Sequence, residues 1–361
     1  MDENVLADGD RIKAYRAGDF VFPDAIELHL GLSCQCACIF CWRWKGGGRS
    51  KSDLGNYRVD CSLPVMTSED ITELLTSFKD RGGKQVFFSG GLEFFTSPHA
   101  LHAIRVSRDL GLTVRIYTNG LSACLDDPAA RRLILDTAEY IRFSVHANTS
   151  KTYRKAQMPN SSQAGATEDF HRVRERIAAF IADRRSSDGR PQARIGVSFL
   201  VLGCNFGEIQ GAIECYRDLG VDTFFIAADM REANDWFSDS EREDLGRILD
   251  CIRLLNERGD FAPMMVQGDR HEPRFLARFP SNCYVPYKHP AIDPWGRVFS
   301  CCYRVNPSQQ FQDFNYGKFP ENSLYQILKM AHDQGRIPRP QCAQCPDWEL
   351  GYNQCVEAVL K

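Results

Sequence analysis

The sequence predicts an α/β protein built as a partial (β/α)6 barrel with a small C-terminal domain. Three observations lead there. Six short apolar segments between residues 26 and 227 are each followed by a helical pattern, and regular strand–helix alternation argues a parallel sheet with helices outside. A cysteine-rich loop follows the first of these strands directly, and in such folds chemistry gathers at the C-terminal ends of strands. From Cys283 onward the alternation is lost and cysteines reappear.

Residues 1–25 show no strong period and read as an N-terminal extension lying on the core. Ile26–Leu32 alternates apolar and polar, the pattern of a strand. After the cysteine loop, Gly46–Gly48 point to a mobile segment, and Trp42 and Trp44 to core or lid packing. Thr67 to Asp70 has the character of a capping box, and Ile71, Leu74, Leu75 and Phe78 then form one helical face ended by Gly82 and Gly83. Gln85–Ser89 is the second strand and Thr113–Thr118 the third, with a helix near Leu101–Leu110 between them. A helix over Asp127–Ala138 leads into the fourth strand, Ile141–Val145. Phe170, Val173, Ile177 and Ile181 mark the next helix, and Arg194–Leu202 the fifth strand. Ile209, Ile213, Tyr216 and Leu219 mark another helix before the sixth strand, Thr223–Ala227. The spacing gives a barrel over 26–235, a linking helix (Glu241–Glu257) and connector over 236–282, and a C-terminal domain over 283–361.

A chain of 361 residues with 44 basic and 47 acidic side chains has no excess charge to suit a nucleic acid or a membrane surface. Its N-terminal decapeptide is acidic and lacks an apolar stretch, and no apolar run approaches spanning length. The expected location is the cytoplasm. There, fifteen cysteines are more naturally metal ligands or reactive thiols than disulfides.

Cys34, Cys38 and Cys41 fall at the spacing C-x3-C-x2-C. Three thiolates on one short loop can hold three irons of a [4Fe–4S] cube and leave the fourth iron open to a small molecule. Zinc sites usually pair two cysteines and pair them again nearby, which this set does not do. Cys36 is off the spacing and reads as a non-ligand. With Phe40 in the aromatic slot, the loop resembles the motif of the radical S-adenosylmethionine (SAM) superfamily.

That resemblance implies a partial barrel, a [4Fe–4S] cluster on Cys34, Cys38 and Cys41, and SAM bound at the open iron. Ser89-Gly-Gly-Leu-Glu93 resembles the family's GGE motif for the methionine amine, with Leu92 inserted, which points to Gly90, Gly91 and Glu93. Thr118-Asn119-Gly120 resembles its TNG turn. Ser144 stands where the family often places a serine on the ribose, and Arg154, in the next loop, is a candidate for the SAM carboxylate. Phe40 and Asn119 complete the implied cofactor contacts.

In the C-terminal region, Cys283 and Cys301 flank Gly296, and Cys342 and Cys345 form a C-x2-C pair. Four such thiolates can close around zinc or a cluster. The pattern resembles the twitch domain, a shortened SPASM domain, which implies a second, auxiliary [4Fe–4S] cluster. Cys302 and Cys355 are left as non-ligands. The similar enzymes include aminocyclitol and sugar dehydrogenases, epimerases and dehydratases. The implied reaction is hydrogen abstraction from a polar, sugar-like small molecule, with an external one-electron donor such as flavodoxin or ferredoxin. Epimerisation is favoured. Alcohol dehydrogenation, dehydration, peptide modification and a non-enzymatic zinc or Fe–S scaffold are the alternatives. Epimerisation needs a hydrogen-donating thiol that binds no metal. Cys204, just past the fifth strand, is the candidate, and a small apolar residue at a strand end is its other reading. Cys215 and Cys251 read as packing residues, while Cys61 and Cys124 lie in loops. His146, Asp229, Arg231 and Glu232 have hydrogen-bonding reach.

Overall fold

The first strand, β1 (Ala25–Leu28), has its alternate residues Ile26 and Leu28 fully buried, so one face of the sheet is apolar from the start. The computed structural model describes residues 9–41, 64–186, 192–227, 264–269, 280–305, 314–340, 342 and 347–360, with scattered residues of 240–259. The same alternation recurs on β2 (Gln85–Phe88), β3 (Thr113–Thr118), β4 (Ala138–Ser144), β5 (Arg194–Leu200) and β6 (Thr223–Ala227). Val86, Phe88, Val114, Ile116, Ile141, Phe143, Ile195, Val197, Phe224 and Ile226 all belong to the buried core. These six strands run parallel in chain order.

All six expected strands are present. A seventh, β7 (Met265–Asp269), pairs in parallel with β6 inside the stretch read as a connector. Its five residues carry too weak a period to stand out in the sequence. β4 begins at Ala138, earlier than expected, because Ala138 already pairs with Val114 ahead of a register shift. β5 stops at Leu200, before the expected Leu202.

The helices follow from their caps. α1 (Gly9–Ala17) gives the N-terminal extension its order, burying Ile12 and Tyr15. α2 (Ser68–Asp80) opens with the expected capping box, Thr67 accepting from the Asp70 amide while Asp70 accepts from the Thr67 amide. It buries Ile71, Leu74, Leu75 and Phe78. α3 (Ala100–Asp109) precedes β3. α4 (Pro128–Thr137) has Asp127 as its cap and proline in its first turn. Two helices, not one, join β4 to β5: the short α5 (Ser150–Ala156), capped by Thr149, and the long α6 (Gln163–Arg185), capped by Ser162. α7 (Ile209–Leu219) ends at Gly220, whose φ of +98° suits glycine.

The C-terminal region continues the same sheet. β9 (Ala291–Ile292) pairs in parallel with β1. β10 (Arg297–Phe299) and β11 (Asn315–Lys318) add antiparallel strands beyond it. The described ladder therefore has ten strands, in the order β11-β10-β9-β1-β2-β3-β4-β5-β6-β7. β8 (Asn282–Cys283) pairs separately with β12 (Arg339–Pro340). α8 (Val285–Lys288), α9 (Leu324–Asp333) and α10 (Asp347–Leu360) complete the region. α1 packs beside α10 through the Tyr15 and Tyr352 hydroxyls, 3.2 Å apart. No described helix is long and apolar enough to cross a membrane. Trp42, Trp44, Gly46–Gly48, Cys61 and Cys251 lie outside the described residues, as does most of the expected helix over 241–257.

The second face of β1–β6 carries most of the sheet's polar side chains, with Phe87 and Phe225 among them. Glu27, Arg115, Tyr117, Tyr140, Arg142, Ser144, Ser198 and Thr223 take the positions between the buried apolar ones. Gly196 breaks the row. A Cβ there would collide with the Tyr140 and Thr223 hydroxyls, which hydrogen-bond to each other at 2.9 Å across its position. Gly196→Ala is therefore expected to lose about 1–3 kcal/mol of stability by overpacking. Thermal unfolding should show a lower Tm, partly restored by adding Tyr140→Phe.

Candidate cofactor site

The cysteine loop leaves β1 and is held from two sides. On one side, the Leu32 and Ser33 amides donate to Thr96 Oγ1 at 3.0 and 3.1 Å, and the Glu93 amide donates to the Ser33 carbonyl at 3.0 Å. Gly31 is required there, because a Cβ would press on the Glu93 carbonyl 2.6 Å away. On the other side, the Ala37 and Ile39 amides donate to the carbonyls of Gln157 and Ala156, at the end of α5, at 2.9 and 3.0 Å.

Within the loop the thiols converge. Cys34, Cys36 and Cys38 hydrogen-bond in series, and Cys38 feels both Cys34 and Cys41. The bond with Cys36, then burial, holds the Cys34 thiol well up. For Cys38, the bond with Cys36 pulls down, but burial, Cys41 and Cys34 push the thiol up. Mutually crowded thiols of this kind are a suitable donor set for iron, whose positive charge would deprotonate them. Among the described residues no three His, Cys, Asp or Glu side chains already stand in metal-ligand geometry. Cys36, read as a non-ligand, is buried between the Cys34 and Cys38 thiols.

The strand-end residues gather around this loop. Gly90 has φ of +136°, and a Cβ there would meet the His29 ring at 2.8 Å. Gly91 follows in the same turn. Glu93 is buried, and its oxygens accept from Thr118 Oγ1 at 2.6 Å, the Asn119 amide at 2.7 Å and the Phe95 amide at 3.4 Å. Burial raises its pKa against these bonds. A carboxylate so occupied acts first as a brace between the second and third strand ends. Asn119 reaches back to the loop, its Nδ2 lying 3.6 Å from Cys34 Sγ and 3.1 Å from Gln35 Oε1.

Ser144 closes β4, with its Oγ 3.4 Å from Ser198 Oγ. Phe40 stands edge-on to His146, ring centroids 4.7 Å apart. Arg154 lies in helix α5, not in a loop as expected, and its Nε donates to the Ser161 carbonyl at 2.8 Å. Cys204 sits half-buried past β5, and burial raises its pKa. Asn205 fixes that turn, donating to the His146 and Leu200 carbonyls at 2.8 Å each. Asp229, Arg231 and Glu232 lie outside the described residues.

Two residues were missed by sequence reasoning. Gln157 is 1 % exposed; it accepts from the His146 amide at 2.7 Å, donates to the Ser144 carbonyl at 3.0 Å and holds the cysteine loop by its own carbonyl. Thr96 is the equivalent clamp on the Glu93 side. Neither sits in a motif; each is an ordinary polar residue until the fold joins its partners.

In the C-terminal region, Gly296, at φ of +81°, turns β9 into β10 and so delivers Cys301. Cys283 and Cys301 both lie close enough to Tyr316 to raise its pKa, alongside the larger effect of burial. Cys342 follows β12, the partner of the strand that carries Cys283. Cys345 lies outside the described residues. Among the described residues no two cysteines form a disulfide.

No protein-family model and no curated protein sequence matches the chain. Solved structures do match in fold. SuiB of Streptococcus suis bound to S-adenosylmethionine superposes with a TM-score of 0.64 at 13 % identity, over 94 % of this chain and 74 % of that one. SuiB bound to the precursor peptide SuiA gives 0.65 at 14 %, over 97 % and 74 %. Native anSMEcpe with bound AdoMet and a Kp18Cys peptide gives 0.60 at 10 %, over 94 % and 96 %. At these identities the likeness is one of fold.

His146 Nδ1 accepts the Leu200 amide at 2.7 Å, so the neutral ring carries its proton on Nε2. Burial, then the charge of Arg142, lowers its pKa to about 3. Protonation would break the Leu200 bond, so the stability His146 lends is complete above its ordinary pKa and is lost as pH falls towards about 3. Histidine-selective ¹⁵N NMR should find one ring locked as the Nε2–H tautomer from pH 8 to 5. A normal titration midpoint for His146 would refute this.

Proposed function

We propose that the chain is a radical SAM enzyme acting on a polar, sugar-like small molecule. The observation that carries this is the C-x3-C-x2-C loop: its thiols converge at the end of the first strand of a fold also found in SAM-bound structures. Cys34, Cys38 and Cys41 are the residues to hold a [4Fe–4S] cluster. Such a cluster with SAM supplies a 5′-deoxyadenosyl radical that removes a hydrogen atom from substrate.

Around it, this chain's residues bind and orient. The backbone of Gly90 and Gly91 is the receiving surface for the methionine amine, with Glu93 as its brace. Asn119 supports the Cys34 sulfur, Ser144 is the residue for the ribose, and Phe40 flanks the cofactor with His146 behind it. Arg154 remains the candidate for the SAM carboxylate through the guanidinium nitrogens not engaged by Ser161. In the C-terminal region Cys283, Cys301, Cys342 and Cys345 are the residues to hold an auxiliary [4Fe–4S] cluster.

Epimerisation is the favoured reaction. Cys204 gives its S–H hydrogen atom to the substrate carbon from the opposite face, forming C–H and leaving a thiyl radical. One electron from an external donor such as flavodoxin or ferredoxin and one proton from solvent restore the thiol. The raised pKa of Cys204 supports this, since only the neutral thiol carries the hydrogen to be given. Peptide modification is the second reading, favoured by the peptides present in the SuiB and anSMEcpe structures.

Anaerobically reconstituted protein should contain about eight irons per chain, falling to about four in Cys342→Ala/Cys345→Ala. One zinc in place of the second set would make the C-terminal site structural. Cys204→Ala should still form 5′-deoxyadenosine with substrate yet lose inverted product, and full turnover would sink the donor role. Product made in D2O should gain one deuterium at the inverted carbon; a ketone without solvent label would point to alcohol dehydrogenation instead.

A further inference from the structure

Arg142 stands on the polar face of the sheet, two residues before Ser144 on β4. Its guanidinium carbon lies 4.3 Å from the Tyr117 ring centroid and 5.2 Å from that of Phe225. Tyr117 is directly opposite on β3, while Phe225 belongs to β6, beyond Gly196. The arginine thus reaches diagonally across β5, from its place beside Gly196 to the aromatic paired with Ser198.

Among the described residues this cation has no anion. It forms no ion pair and no side-chain hydrogen bond among the described residues, and its Nε is buried without a partner. The described charges on this face are committed elsewhere. Arg115 and Arg194 both pair with Glu139, at 3.0 and 3.4 Å. Glu27 accepts from His29 and Ser89; burial opposes its charge, but those bonds and His289 hold its pKa down at about 2. A partly buried guanidinium with an unpartnered donor is costly unless something fills the place. Aromatic walls fix the plane of the group and leave its N–H edge for a planar or tetrahedral oxyanion.

We propose that Arg142 is the receptor for a carboxylate or phosphate group on the substrate. This rests on the reading of the polar face as the substrate side of a radical SAM enzyme, and it narrows the substrate class to anionic molecules. Arg142 lies below the strand-end residues assigned to the cofactor, one strand step of about 7 Å beneath Ser144. The anion assigned to it is the substrate's, the SAM carboxylate being assigned to Arg154.

The test is arginine footprinting of the reconstituted full chain with phenylglyoxal, read by mass spectrometry, with inorganic phosphate, glycerol or SAM as additive. Phosphate is expected to slow modification of Arg142 by about fivefold or more, with glycerol and SAM without effect and Arg115 and Arg194 unchanged. The proposal is overturned if phosphate gives no protection, if it protects all three arginines alike, if SAM protects Arg142, or if phenylglyoxal never reaches it. SAM cleavage by the same preparation is scored separately. Protection by phosphate without any 5′-deoxyadenosine would retain an anion site and remove the radical SAM reading.

Discussion

The candidate site depends on two buried side chains that make the ends of separate strands into one surface. Glu93 draws in Thr118 and Asn119 from the third strand end, and its backbone holds Ser33 at the mouth of the cysteine loop. Gln157 joins Ser144 and His146 at the fourth strand end and clamps Ala37 in the same loop. Each buried partner left without its bond would cost about 1–3 kcal/mol, so the bonds are mutually enforcing. The cysteine loop is thus gripped at both ends by the strands that supply the other contacts.

The sheet beneath has two chemically different faces. Parallel strands buried on both sides usually read as continuous apolar runs. Here β1 to β6 alternate, and the helices cover only the apolar set. The second face carries Tyr140, Arg142 and Ser144 up a single strand, with His146 just beyond its end. Tyr140 is closed off by Thr223, Ser144 meets Ser198, and His146 is pinned as a neutral ring by Leu200. Arg142 alone in that column has aromatic walls and no polar partner among the described residues. Hydrogen bonding therefore fixes the surroundings of the column and leaves one charged position for a ligand.

Much of this was legible because strand alternation, helix caps and cysteine spacing are local signals. Thr67 and Asp70 announced α2, and Ile26, Leu28 and their counterparts announced the sheet. What escaped was non-local. β7 is short and gains its identity only from pairing with β6. α5 is seven residues, too short to show a period, yet it positions Gln157 and moves Arg154 out of a loop. Glu93 was recognisable as a strand-end carboxylate, but only the fold shows that its oxygens already receive three donors. Cys36 was set aside on spacing, although the loop folds its thiol between two of the proposed ligands.

The second cysteine group looks in sequence like an appended domain, but its attachment is a matter of sheet register. The Glu27 amide donates to Pro290 and the His29 amide to Ile292, at 3.0 and 2.9 Å, so β9 is locked onto β1 residue by residue. From β9 the Gly296 turn leads through β10 to Cys301, while β1 leads on its other side to Cys34. Cys301 and the Cys34 loop are thus tied through one strand pairing, whereas Cys283 sits on the separate β8–β12 pair. A slip in the pairing of β1 with β9 would change the position of Cys301 relative to the Cys34 loop. If both cysteine groups hold clusters, the separation across which an electron must pass is set in part by the hydrogen bonds that join β9 to β1 inside the sheet.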